Sequence, residues 1–512
     1  MRRFIIVLLA VFFSMSSVFA QDSWVNDLRT LFLSNNAIIY ELNIRTFAAQ
    51  DTNKDGIIET VDGEESGNFL NAIGRLDELQ GLGINTLHVM PIMAVGKTKA
   101  LGTAGSLYAA SSFNELNPQL KSERSALSLE DQARKFISEA HKRKMRVIID
   151  LPACGSYDLY LKRPELFLKD ASGQPVVPSD WTDVRLFNAG TETAINSEVY
   201  NLYREFVDYV IILGADGIRA DVATMKPAKF WKELIDYSHK KDPQFMWLAE
   251  ASDSWTEAVS PQAVFTPYDK LLEAGFDGFY GSYFKMKDWR KAEELLNHIK
   301  FTNSLKSKFG QPKSVIGSFS THDELSPLLI NGEAYSNMIL WLNSTLPLNA
   351  YYVDGFVTGD NYIYLWANKK ARKSYTDDDY YFVHRGKLDI FNFSRQPGGK
   401  NMLFRNNFAM ANAFRYYIAP ILANGKYVQL RTDNPSVFAY GLSYSKTTVL
   451  VFGNMNFRGF SEALIKVRGY NDSMLVIPVK ADSAPISQKG KFKVNLVPGE
   501  IQVLLINDFE LK

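Results

Sequence analysis

One cysteine, Cys154, stands in a chain of 512 residues, and a single thiol excludes an internal disulfide framework. Stability must come instead from a buried core, for which 46% hydrophobic content is ample. An excess of charge of one sign is also lacking. Lys and Arg number 57 against 56 Asp and Glu, a net charge of +1, which gives no footprint for nucleic acid or an anionic surface. Histidine is scarce, at 6 residues, and none sits close to Cys154 in sequence. A Cys–His nucleophile pair is thereby disfavoured, and Cys154 reads as a packing or subsite residue. No zinc-ligand pattern occurs, and no glycine-rich nucleotide loop precedes a helix. Repeats and low-complexity tracts are absent. Beyond the N-terminus no run is apolar and long enough to span a bilayer.

At the N-terminus, Arg2 and Arg3 precede an apolar run over residues 4–13. Val18-Phe19-Ala20 then places small residues where a signal peptidase reads them. The apolar stretch falls short of the roughly 20 residues that cross a membrane. It reads as a signal peptide over 1–20, cleaved before Gln21, and no lipoprotein cysteine follows. The expectation is a secreted or periplasmic protein with no membrane association after cleavage.

What is present is alternation. From residue 37 to about 355, short apolar runs alternate with amphipathic stretches such as 127–142 and 197–213, a βα pattern that predicts a parallel sheet. Eight strands are predicted to end near Asn43, Met90, Asp150, Asp221, Glu250, Tyr280, Asp323 and Val353. Residues 154–196, with Pro164, Gly173, Pro175 and Pro178, break the alternation as an excursion after the third strand. Residues 354–400 read as a long loop. After residue 412, short runs at 437–444, 448–452, 464–467, 475–479, 492–496 and 501–506 predict an all-β domain. The expected organisation is an α/β (β/α)8 TIM barrel over 21–411, with its excursion at 154–196, and a C-terminal all-β sandwich over 412–512. Aromatics reach 13%. Most belong to the core, and some are available to stack on sugar rings.

Three acids in three segments carry the chemistry. Gly217 to Asp221 read Gly-Ile-Arg-Ala-Asp, Trp247 to Glu250 read Trp-Leu-Ala-Glu, and Ser318 to Asp323 read Ser-Phe-Ser-Thr-His-Asp. Each acid follows an apolar, strand-like run, and a carboxylate there is costly unless it faces a polar cleft. Such placement suits the C-terminal mouth of a parallel barrel. Arg219 lies two residues before Asp221, hence on the same strand face, where a guanidinium is expected to keep Asp221 ionised.

These segments, in order, resemble the α-amylase family of retaining α-glucan-active enzymes. Residues 39–47 (Ile-Tyr-Glu-Leu-Asn-Ile-Arg-Thr-Phe) resemble that family's first strand. Residues 82–92 resemble its second helix-to-strand passage, and 105–109 (Gly-Ser-Leu-Tyr-Ala) the loop that follows. Asp150, Asp221, Glu250 and His322-Asp323 fall in the family's order. The resemblance implies the barrel fold, with the excursion as domain B. It implies Asp221 as nucleophile, Glu250 as acid/base, and Asp323 as the acid that holds the sugar's ring hydroxyls. Arg219 and His322 would orient the nucleophile and bind the same sugar, and Tyr108 would stack beneath it.

The departures from the family pattern matter. Where the third-strand motif ends in Asn-His, this chain has Cys154-Gly155. Thr224-Met225 stand where starch-cleaving members often carry Lys-His, and Thr321 replaces an Asn. Ordinary starch cleavage is thereby put in doubt, and altered specificity or transfer to another acceptor is favoured.

Asp51, Asn53, Asp55 and Glu59 set oxygen ligands at alternate positions, with Gly56 at the sharp turn and the Ile57 carbonyl between. These are Ca²⁺-loop features, although a solvated Asp/Asn turn has the same composition. The reading is a hydrolase of maltodextrins or related α-glucans. Alternatives are a transglycosylase or maltosyltransferase on the same scaffold, and a non-catalytic sugar-binding protein. The expected partner is an α-linked glucose oligosaccharide or polysaccharide, not nucleic acid.

Overall fold

The structure is a computed structural model, and it describes residues 24–50, 64–100, 105–179, 181–359, 402–482 and 484–511. Eight parallel strands form its centre: β1 (Ile38–Leu42), β2 (Thr86–Val89), β3 (Arg146–Leu151), β6 (Gly217–Ala220), β7 (Met246–Ala249), β8 (Gly278–Phe279), β9 (Ser314–Val315) and β10 (Ala350–Val353). They pair in the order β10-β1-β2-β3-β6-β7-β8-β9. A parallel bridge between Ile316 and Asn349 joins the two ends of that order, so the sheet closes into a barrel. Two further strands, β4 (Cys154–Ser156) and β5 (Val184–Leu186), pair antiparallel within the excursion after β3.

Local sequence explains the helices that separate these strands. The helix Leu129–Lys142 starts at Ser128, whose side chain accepts from Asp131 N. Its first turn is acidic and its last carries His141 and Lys142, which complements the helix dipole. The helix Ser197–Leu213 is capped by Asn196 and stops at Gly214, where φ is 102°, a left-handed C-cap that glycine adopts without strain.

The predicted strand ends agree with the structure at seven positions to within a residue or so. The exception is the seventh strand. It ends at Val315, and Asp323 lies beyond it in a turn where Asp323 N donates to Thr321 Oγ1. The run 315–319 is apolar because it enters the barrel mouth, not because all of it is strand.

The C-terminal strands form a five-stranded and a four-stranded sheet. The first holds β11 (Lys426–Gln429), β13 (Val437–Tyr444), β14 (Thr447–Asn454), β19 (Ile501–Asn507) and β16 (Val476–Lys480). The second holds β12 (Arg431–Thr432), β15 (Ser461–Lys466), β18 (Lys491–Leu496) and β17 (Ile486–Gln488). The helix Met402–Tyr417 runs through residue 412, and the first sandwich strand begins only at Lys426. Among the described residues, no helix is long and apolar enough to cross a membrane.

Candidate active site

The barrel's interior is polar near its mouth. Glu41 on β1, His88 on β2, Asp150 on β3 and Arg219 on β6 are all fully buried. Four charged or titratable groups persist there because they satisfy one another. Arg219 Nη1 donates to Asp150 Oδ1 and Oδ2 at 2.8 and 3.0 Å, and Arg219 Nε donates to Tyr280 Oη at 3.1 Å. His88 Nε2 lies 3.4 Å from Asp150 Oδ2. Burial pushes the Asp150 carboxyl up, but Arg219 and His88 more than offset it and hold it below the usual carboxylate range.

Arg219 also brings the two principal acids together. Its Nη1 donates to Asp221 Oδ1 at 3.0 Å, and its Nη2 lies 3.0 Å from Glu250 Oε2. Both acids stand one residue past a strand but remain in the barrel ladder: Asp221 N donates to Leu151 O, and Glu250 N donates to Ala220 O. Ala153 N donates to Asp221 Oδ2 at 2.9 Å, and Val222 N donates to Glu250 Oε2 at 2.7 Å.

Burial decides the protonation of this pair. It lifts Glu250 to about 8, with Arg219 opposing and Asp221 and Asp323 adding repulsion. Asp221 is raised too, because burial outweighs the stabilising Arg219. The expectation that Arg219 keeps Asp221 ionised is therefore corrected: burial outweighs the guanidinium. The guanidinium is shared with Asp150 and Glu250; it is still the largest influence that lowers Asp221, and the Ala153 N–H adds to it.

His322 and Tyr108 complete the near wall. Tyr108 Oη donates to Asp150 Oδ2 at 2.9 Å and lies 3.1 Å from His322 Nε2. The two rings stack with centroids 5.7 Å apart. His322 Nδ1 meets Glu41 Oε1 at 2.6 Å. Burial would raise Glu41, but His322 and His88 overcome it and leave Glu41 low. Asp323 Oδ2 lies 3.6 Å from His322 Nε2, with 39% of its side chain exposed. The structure thus gathers Asp221, Glu250, Asp323, Arg219, His322 and Tyr108 at one end of the barrel. Asp51, Asn53, Asp55, Ile57 and Glu59 lie outside the described residues, and among the described residues no group of three or more potential ligands could hold a metal.

The third-strand departure has a packing cause. A Cβ on Gly155 would come within 2.8 Å of the Phe167 ring and 3.0 Å of the Phe187 ring, so those two rings occupy the space a side chain would need. Cys154 is buried, and burial pushes its thiol well up, which removes the thiolate that a nucleophile requires. Glu41, His88, Tyr280 and Lys226 were not expected as site residues. Their signal was available in part: Glu41 and His88 are titratable residues inside otherwise apolar strands.

No family model matches the chain. Alpha-amylase 3 of Dictyoglomus thermophilum is 22% identical over 479 residues, 82% of this chain and 85% of that protein. An alpha-1,4-glucan:maltose-1-phosphate maltosyltransferase of Corynebacterium glutamicum is 24% identical over 431 residues, 78% of this chain but 57% of that protein. The alpha-amylase MalA of Haloarcula japonica is 24% identical over 229 residues, 42% of this chain and 30% of that protein. Among solved structures, the maltogenic alpha-amylase AmyB of Thermotoga neapolitana shares the fold at a TM-score of 0.70 and 20% identity. That match covers 93% of this chain and 100% of AmyB. The debranching enzyme of Nostoc punctiforme shares it at 0.64 and 16%, covering 92% and 98%. In sequence this chain is similar, at 22–24% identity, to proteins named alpha-amylase and maltosyltransferase, and it shares the fold of solved alpha-amylases.

Proposed function

We propose that the chain is an exported retaining enzyme acting on α-glucosidic bonds in maltodextrins or related α-glucans. One observation carries the reading: the Asp221 and Glu250 carboxyls share a single guanidinium, each 3.0 Å from one of its nitrogens, and burial raises Glu250 to about 8. Closely spaced carboxyls suit retention, since an inverting pair must leave room for a water between them. In the first step an Asp221 oxygen forms a bond to the anomeric carbon. The bond to the leaving oxygen breaks with its electron pair, and Glu250 delivers its proton to that oxygen. In the second step Glu250, now a carboxylate, takes a proton from water or an acceptor hydroxyl, whose oxygen displaces Asp221. Asp323, beside His322, is placed to bind ring hydroxyls, and Tyr108 to underlie the same sugar.

A second reading, transfer to an acceptor other than water, is supported by a particular wall. Cys154, Val222 and Met225 pack as one apolar cluster with Trp181 and Trp255 against it. The wall takes up positions where polar contacts are expected for starch cleavage. It suits the apolar face of an acceptor sugar and discourages water. Several curated relatives are maltosyltransferases named for maltose 1-phosphate, so that donor belongs in the test.

The test incubates the purified protein with a panel of α-glucans, maltose 1-phosphate and α-glucosyl fluoride, with and without an acceptor sugar, and resolves the products. Asp221→Asn should lose all turnover. Glu250→Gln should keep the fluoride, whose departure needs no proton, and lose the natural glycoside. Wild-type turnover by Asp221→Asn would overturn the assignment of Asp221 as nucleophile. Calcium held by residues 51–59 belongs to the same proposal as a stabilising ion. EDTA should lower the unfolding temperature and added Ca²⁺ restore it; indifference to both removes the site.

A further inference from the structure

Behind the turn that holds Asp221 lies a cation that neither step uses. Lys226 is 1% exposed, and its ammonium donates to Ala153 O at 3.1 Å. Ala153 is the residue whose N–H donates to Asp221 Oδ2. The peptide carrying that N–H is held from its other end, where Tyr203 Oη donates to Pro152 O at 2.8 Å. Hydrogen bonds in series polarise one another, so the Tyr203 bond strengthens the bond to Asp221 through the shared peptide, while Lys226 holds the next peptide and with it the position of Ala153. The rest of the ammonium faces aromatic rings, with the Tyr203 centroid at 4.5 Å and Trp231 at 5.6 Å. Its titratable neighbours are the Cys154 thiol, Asp221 and Tyr203.

Holding one carbonyl does not require a buried charge. A neutral amide would do that at far lower desolvation cost, and burial lowers Lys226 to about 8. What a charge adds is a field at Asp221, where Arg219 is already shared with Asp150 and Glu250. We propose that Lys226 is a positioning residue of the reaction. Through the 152–154 turn and through its charge it keeps the Asp221 carboxylate oriented and ionised, at the turn where the expected Asn-His is missing. This rests on Asp221 being the nucleophile.

The test uses Lys226→Gln, which keeps a donor and removes the charge, together with Lys226→Met and Lys226→Arg. The readout is the pH dependence of kcat/KM on α-glucosyl or α-maltosyl fluoride, where no acid is needed and the acidic limb reports Asp221. The groups facing Asp221 are Arg219 on its own strand, Asp150, Tyr108, Glu250, Cys154, Tyr203 and Lys226. They are common to all variants except at position 226. Lys226→Gln should move the acidic limb up by about one pH unit, lower kcat about tenfold and leave KM nearly unchanged. Lys226→Arg should return the limb toward wild type. An acidic limb that stays in place in a folded Lys226→Gln or Lys226→Met overturns the proposal, whatever happens to the plateau. Turnover by Asp221→Asn removes the nucleophile itself, and the role given to Lys226 with it.

Discussion

Glu250 carries a cost that its chemistry explains. Its carboxyl is raised to about 8 in the folded chain against an ordinary 4.5, first by burial. Between those values the folded state keeps a proton that the unfolded state has lost. Stability therefore falls as pH rises from about 4.5 through 8, and is flat on either side with respect to this group. Glu250→Gln removes the titration while Gln can still accept from Val222 N. The variant should gain on the order of 1–3 kcal/mol over wild type at pH 7, and the gain should vanish below about pH 4.5. Denaturant titrations of both proteins at pH 4 and pH 7 check this. Equal differences at the two pH values would mean that Glu250 is not held protonated. Activity on the natural glycoside should fall as pH rises through about 8, since the acid then lacks its proton.

At the scale of elements, the turn after β6 is where geometry is forced. Val222 has φ 33° and ψ 57°, a left-handed conformation that a β-branched residue enters only under strain. The strain aims its N–H at Glu250 Oε2. Val222→Gly should relieve about 1 kcal/mol of strain but removes a buried side chain worth roughly 1.5 kcal/mol or more, so the net change in stability should be small or unfavourable. The same change frees the turn, so kcat on a glycoside should drop about tenfold while the fluoride is less affected. Calorimetry beside paired rate measurements decides; a glycine variant with unchanged rates would make the strain incidental. None of this was legible in the sequence, because Val222 continues an apolar run and a φ angle leaves no trace in composition. The parallel strands were legible, since buried strands between amphipathic helices write themselves as short apolar runs. So were Asp221 and Glu250, as acids at the ends of such runs. The partners that sustain them were not: Glu41 reaches His322 across 281 positions of sequence, and Lys226 reaches Ala153 across 73. Local pattern cannot report contacts of that range.

For the molecule as a whole, composition suggested a boundary at 411/412, where helical pattern gives way to strands. The core ignores that line. Phe438, Tyr440, Val449, Val451 and Val503 of the five-stranded sheet share one hydrophobic cluster with the barrel helices. Arg415, 1% exposed, is the polar counterpart of that continuity. From the helix Met402–Tyr417 it donates to Asn343 O and Asn35 O at 2.5 Å each, to Leu346 O at 3.3 Å, and to Leu348 O. These carbonyls lie just before β1 and β10, next to the bridge that closes the barrel. Asn35 in turn donates to Leu422 O at 3.3 Å. Arg415→Met fills the volume but leaves buried carbonyls without a donor, at roughly 1–3 kcal/mol for each group left unmet. It should destabilise the protein by about 3 kcal/mol or more. Because core and hydrogen bonds both cross the boundary, barrel and sandwich should unfold together. All 8 tryptophans precede residue 412, so their fluorescence reports the barrel, while hydrogen exchange of β13, β14 and β19 reports the sandwich. Both signals should be lost at the same, lowered denaturant concentration in Arg415→Met. A sandwich that keeps its protection after the barrel fluorescence has collapsed would show two independent units and restore the boundary that composition suggests.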